Sequence, residues 1–182
     1  MVAARARGLS MIELLAGLVI LSVLVSLAAP SFSRMLAEQR LRQAGSELRI
    51  SLATARSEAV KRNEAVSLVA YDEGWSYGWC VEPALNGACS NQPIQEFTLP
   101  SDLITLGRGD DVGGNAIEFN SWGRVADTAD CPQLSLSTMA GSSACNLCLI
   151  VTKDGRVESH SGSCTSECDV ATEEMSWAGS CS

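Results

Sequence analysis

The chain has 182 residues, 46% of them hydrophobic, eight cysteines and a net charge of −8. That length supports one modest domain plus an N-terminal segment. The charge is uneven: residues 31–63 carry seven basic and three acidic side chains, residues 64–182 four basic and seventeen acidic. A head that acidic does not attract nucleic acid phosphates through its overall field.

The chain opens with Arg5 and Arg7 and has no acid before Gly8. Residues 9–29 follow as an apolar run, about 32 Å long as a helix and enough to span a bilayer. The basic flank keeps the N-terminus cytoplasmic and sends the remainder across the membrane. One acid, Glu13, interrupts the run, and residues 14–29 carry no charge. A carboxylate at the centre of a membrane helix costs about 2.5–3.5 kcal/mol, so Glu13 needs a cation. Cleavage after Gly8 would make one, because the new amine on Leu9 lies four residues before Glu13 on the same helix face. An α-amine is mostly protonated at neutral pH. A secretory signal peptide is the competing reading. It would require a cut near Ala29, leaving Pro30 directly after the cut and Glu13 inside the apolar region.

The segment Gly8-Leu9-Ser10-Met11-Ile12-Glu13-Leu14-Leu15 resembles the type III signal of type IV prepilins and pseudopilins. The resemblance implies that a membrane prepilin peptidase cuts after Gly8 and methylates the amine of Leu9. Leu9 stands where that family most often has phenylalanine. Pro30 falls where many pilins carry a helix-kinking proline.

Beyond the membrane the helix is expected to continue to Asn63. Leu41, Leu48, Leu52, Ala55 and Ala59 recur on one face, which reads as core packing under a sheet. Arg42, Glu47, Arg49 and Arg56 take other faces. Pro30 should kink the helix where it leaves the lipid, and Gly45 is a second weak point. Asn63 is a reasonable stop. The stretch Ala55-Arg56-Ser57-Glu58-Ala59-Val60-Lys61-Arg62-Asn63, leading into the apolar Val66-Ser67-Leu68-Val69, is similar to the GspH/FimT-type minor pilins and pseudopilins. The resemblance covers about the first 80 residues.

From residue 65 the pattern changes to short strands and turns. Strands are predicted at 66–71, 75–81, 94–99, 103–106, 117–120, 134–137, 147–152 and 156–160. Asp72-Glu73-Gly74 and Lys153-Asp154-Gly155 are the clearest hairpin turns. A long helix followed by an antiparallel β region is an α+β plan. With the resemblance it becomes pilin-like: leader 1–8, transmembrane half-helix 9–30, amphipathic helix 31–63, and a β-rich periplasmic head over 64–182.

All eight cysteines lie in the head: Cys80, Cys89, Cys131, Cys145, Cys148, Cys164, Cys168 and Cys181. An even count on the translocated side points to disulfides in an oxidising periplasm. Cys80 with Cys89 is the best local pair; the other connections stay open. Cys145-x2-Cys148 and Cys164-x3-Cys168, with His160 nearby, also have zinc-ribbon spacing, but the expected compartment favours oxidation. Cys145-x2-Cys148 as a redox pair lacks a βαβ context.

No catalytic set stands out, and neither an enzyme activity nor a cofactor is expected. His160 is the only histidine and reads as a solvated loop residue. Asp110-Asp111 lacks calcium-loop spacing.

The function implied is that of a structural filament subunit in a type II secretion pseudopilus or a type IV pilus. Its partners would be the prepilin peptidase, other pilins, an inner-membrane assembly platform and membrane lipid. The alternative is a FimT-like module that captures DNA for uptake. Family members that bind DNA resemble one another in a Gly-Arg-x-Arg motif. Gly123-Arg124-Val125-Ala126 and Gly155-Arg156-Val157-Glu158 both lack the second arginine, and the acidic head argues against DNA.

Overall fold

The computed structural model describes residues 11–71, 74–83, 89–90, 92–99, 104–108, 114–126, 131–140, 143–162 and 164. Of residues 27–30, 108, 140 and 143 only the backbone is described. One helix, α1 (Met11–Arg62), takes up 52 residues and is about 78 Å long. Its two halves differ in chemistry. Leu41, Leu48, Leu52, Ala55 and Ala59 form the buried stripe their spacing predicts, and Ala37 and Ala44 belong to it as well. Between Met11 and Val25, by contrast, every large apolar side chain is at least half exposed. The segments Met11–Ser26 and Ser31–Arg62 are inclined at 43° to each other, with Pro30 in the break.

Asn63 ends the helix. Its φ is +54°, a left-handed conformation that asparagine tolerates better than most residues. The Glu64 N–H donates to the Ala59 carbonyl and the Asn63 N–H to the Val60 carbonyl, both at 3.3 Å. This pair of bonds is a Schellman closure, and it satisfies carbonyls the helix would otherwise leave open.

Among the described residues eight strands follow, each within a few residues of the predicted positions. β1 (Val66–Tyr71), β2 (Gly74–Pro83), β3 (Gln95–Thr98) and β5 (Ala116–Phe119) make one sheet in the order β3-β2-β1-β5. β4 (Thr105–Arg108), β6 (Gln133–Ala140), β7 (Ser143–Val151) and β8 (Val157–Ser161) make the second, in the order β4-β6-β7-β8. Every pairing is antiparallel. The helix packs on both sheets, so one core runs from Ala37 to Val151. Gly45, expected as a weak point, lies inside an unbroken stretch of helix. A Cβ there would meet the Leu147 side chain of β7, so its lack of a side chain lets the sheet come close.

Alternation along the strands explains the second layer of burial. In β1, Val66, Leu68 and Ala70 face the helix, and Ser67 and Val69 the opposite side. That outer side is also buried, together with the paired residues Glu82 and Cys80. The cover includes Cys89 and Ser90: Cys89 is bonded to Cys80, and Ser90 donates to the Glu82 carboxylate from its N–H at 2.7 Å and its hydroxyl at 3.0 Å. The outer face of the second sheet carries its own cluster of Cys131, Cys148, Ile150 and Cys164, closed by a Cys148–Cys164 disulfide.

Candidate functional site

The apolar half of α1 is the first candidate. Glu13 stands in its first turn, exposed among Met11, Ile12, Leu14 and Leu15. The two serine hydroxyls described on this stem are locally satisfied: Ser22 donates to the Val19 carbonyl at 2.8 Å and Ser26 to the Val23 carbonyl at 2.7 Å. A hydroxyl bonded back to its own helix tolerates an apolar solvent. Neither helical segment alone is long and apolar enough to cross a membrane; the bent pair together is, by length and composition. Gly8 and Leu9, the expected cleavage and methylation positions, lie outside the described residues.

The cysteines divide by sheet face. Cys145 and Cys148 both lie in β7, where a spacing of three residues sends side chains to opposite faces. Cys145 belongs to the core against the helix and Cys148 to the outer cluster. They cannot converge on one metal ion as a zinc ribbon requires, nor act as a redox pair. Cys148 is bonded to Cys164, and Cys131 and Cys145 are also in disulfides. Cys168 and Cys181 lie outside the described residues, as do Asp110 and Asp111. Among the described residues no group of three or more His, Cys, Asp or Glu side chains is placed to hold a metal. His160, read from the sequence as a solvated loop residue, is instead a half-buried member of β8 paired with Cys148. Strand pairing, which the local Ser-His-Ser-Gly composition does not reveal, places it there.

The second candidate is a groove of about 730 Å³ between α1 and β8. Arg49, Arg56 and Lys61 from the helix, and Arg156 and Glu158 from the β7–β8 hairpin, line it. Arg56 donates to the Gly155 carbonyl at 3.1 Å, and Arg49 to the Ser159 hydroxyl at 3.4 Å. Lys61 pairs with Glu58 at 3.0 Å, and the Arg62 guanidinium meets the same carboxylate at 2.7 Å. Hydrogen bonds from Arg62 and then Lys61 hold the Glu58 carboxyl below its ordinary value.

The two Gly-Arg candidates prove to be neighbours here. Gly123 and Gly155 have φ of +72° and +75°, and a Cβ on either would lie 3.1 Å from the Arg56 Nε. A Cβ on Gly155 would also meet the Gly123 carbonyl oxygen. The turn at Gly123 is shaped by Asn120, whose side-chain oxygen accepts the N–H groups of Trp122 and Arg124 at 3.0 Å. Arg124 and Arg156 are both exposed. Sequence reasoning placed Arg42, Arg49 and Arg56 away from the core face but did not find the groove. The available signal was their seven-residue spacing, which lines cations along one side of a helix.

A family model described as "Type II transport protein GspH" matches residues 44–155, from the middle of α1 through the β7–β8 turn. Two crystal structures of the type IV minor pilin FimU from Pseudomonas aeruginosa (strain PAO1) share the fold at 21% sequence identity. One has a TM-score of 0.55 and covers 66% of this chain and 87% of its own. The other has a TM-score of 0.51, covering 65% and 91%. No curated protein sequence matches the chain. The protein belongs to the GspH family, the GspH/FimT-like minor pilins and pseudopilins.

Proposed function

We propose that the chain is a minor subunit of a type II secretion pseudopilus or a type IV pilus, built into the filament through its N-terminal helix. The observation that carries this reading is the division of α1. One face of its C-terminal half is buried under both sheets, whereas its N-terminal half presents Met11, Ile12, Leu18, Val19 and Leu24 with no cover from the described residues. Lipid, and then the stems of neighbouring pilins, would supply that cover. Family membership points the same way, because pilins work by assembling with one another.

In this reading residues 1–8 are a cytoplasmic leader removed by prepilin peptidase after Gly8, and the freed amine of Leu9 is methylated. Residues 9–30 cross the inner membrane and 31–63 carry the stem into the periplasm. The 64–182 head folds there, where disulfides form. An inner-membrane assembly platform would then draw the subunit into the filament. Glu13 would pair with an N-terminal amine, its own or a neighbour's, since an unpaired carboxylate in an apolar bundle is costly. The role is structural, with no catalytic step.

Glu13→Leu tests the mechanism. It should spare membrane insertion, because it only makes the stem more apolar, yet it should sharply reduce incorporation into sheared filaments. Normal incorporation of Glu13→Leu would sink the pairing mechanism.

A further inference from the structure

We propose that Trp122 anchors this head to the head of the adjoining filament subunit farther from the membrane, through an apolar pocket rimmed by carboxylates on that partner. The direction of the contact rests on the filament reading, whereas the chemistry of the surface is local. Trp122 is 77% exposed, while the other described tryptophans, Trp75 and Trp79, are buried at 6% and 0%. An aromatic side chain can bury about 150–250 Å², area that this turn leaves in water. The turn is built to hold its backbone still. The Asn120 N–H donates to the Arg124 carbonyl at 2.9 Å, and the Gly123 N–H to the Asn120 carbonyl at 2.8 Å. The Asn120 side-chain oxygen adds its bonds from Trp122 and Arg124. Behind the turn, the Val125 N–H donates to the Lys153 carbonyl at 3.1 Å and ties it to the β7–β8 hairpin. A large side chain on a preorganised backbone loses little freedom when it docks, and tryptophan and arginine are the residues that most often dominate interface energetics.

Charge and position identify the partner. Arg124 stands in the same turn, and Arg156 follows Gly155, which packs against Gly123. Both arginines are exposed, and among the described residues neither guanidinium has a partner. An indole flanked by two such cations complements an apolar pocket flanked by carboxylates. A Cβ on Gly123 would lie 3.0 Å from the Val60 side chain, so the turn sits at the C-terminal end of α1. With the N-terminal half of α1 in the membrane, that end points away from it, toward the next head along the filament. The distal end of one head then meets the proximal end of another, the head-to-tail contact that propagates a filament. A nucleic acid strand fits this surface less well. Residues 64–182 around it carry seventeen acidic and four basic side chains. Tyr77, the other exposed aromatic described on the head, lies toward the opposite end of its sheet, so successive bases would find a single stacking platform.

The test replaces Ser121, beside Trp122, with a photoreactive benzophenone amino acid in the full chain, irradiates sheared filaments and identifies the crosslinked peptides by mass spectrometry. Crosslinks should reach the head of a neighbouring pilin at a segment carrying acidic residues. Arg124→Gln combined with Arg156→Gln should lower their yield about two- to fivefold. Trp122→Ala should lower the share of the chain found in filaments about fivefold or more, and Trp122→Phe should lower it less. Because the Trp122 side chain is exposed, thermal unfolding should be the same in all of these variants. Filaments that contain the wild-type chain yet give no crosslink, or crosslinks to stems or lipid alone, would overturn the proposal. Normal incorporation of Trp122→Ala would do so too. So would binding of an oligothymidylate to the full-length protein in detergent that Trp122→Ala abolishes, which would give the surface to single-stranded nucleic acid. In each of these cases a wild-type chain that still enters filaments leaves the filament reading intact; a wild-type chain absent from filaments would remove both.

Discussion

Asn63 is the one non-glycine residue described with a positive φ, and it closes a helix of 52 residues. Alanine at that position would meet the left-handed penalty of its Cβ, so Asn63→Ala should lower the unfolding free energy by about 1 kcal/mol. Asn63→Gly should be close to neutral. Denaturant unfolding of the pair measures both. This stop was legible because asparagine's tolerance is a local property. Ser51 was not, because its role depends on a partner 28 residues away. Its buried hydroxyl accepts the Trp79 indole N–H at 2.8 Å, and the Trp79 ring stacks on Phe97 at 4.7 Å between centroids. Ser51→Ala would leave that N–H unpaired in the core and should cost about 1–2 kcal/mol. Adding Trp79→Phe should then cost less than it does in the wild-type background, which a double-mutant cycle would show.

Among the elements, the helix and the hairpins were the most legible. The stripe from Leu41 to Ala59 has helical spacing, and Lys153-Asp154-Gly155 marks the β7–β8 turn. Strand lengths were harder to read, because a partner rather than composition determines them. β7 begins at Ser143, four residues before the expected start, since Ala144 and Cys145 pair with Met139 and Thr138 of β6. The turn at Gly155 gives a sharp test. It needs φ of +75°, and a side chain there would collide with the Gly123 carbonyl. Gly155→Ala should therefore destabilise by about 2 kcal/mol or more and loosen Arg56 from its carbonyl partner. A thermal unfolding comparison with Gly74→Ala, which meets nothing within 4 Å, separates the collision from the backbone penalty.

At the scale of the molecule, an acidic head sits on a basic-flanked apolar stem. The α+β plan could be read from the sequence, but the division of the strands into two sheets could not. β5 pairs with β1 across nearly fifty residues, while β4 joins β6, and neither choice leaves a local trace. Disulfides fasten the outer faces of both sheets, Cys80–Cys89 on one and Cys148–Cys164 on the other. Replacing both Cys148 and Cys164 with alanine should cost about 3 kcal/mol, the value for closing a loop of that size, read as a lower denaturant midpoint.

The most direct test of the filament assignment is the intact mass of the protein purified from membranes that contain a prepilin peptidase. A species beginning at Leu9, heavier by one methyl and lighter by the hydrogens of four disulfides than the reduced chain, is the expected result. A species beginning near Pro30, or one that retains Met1 with free thiols, would contradict it.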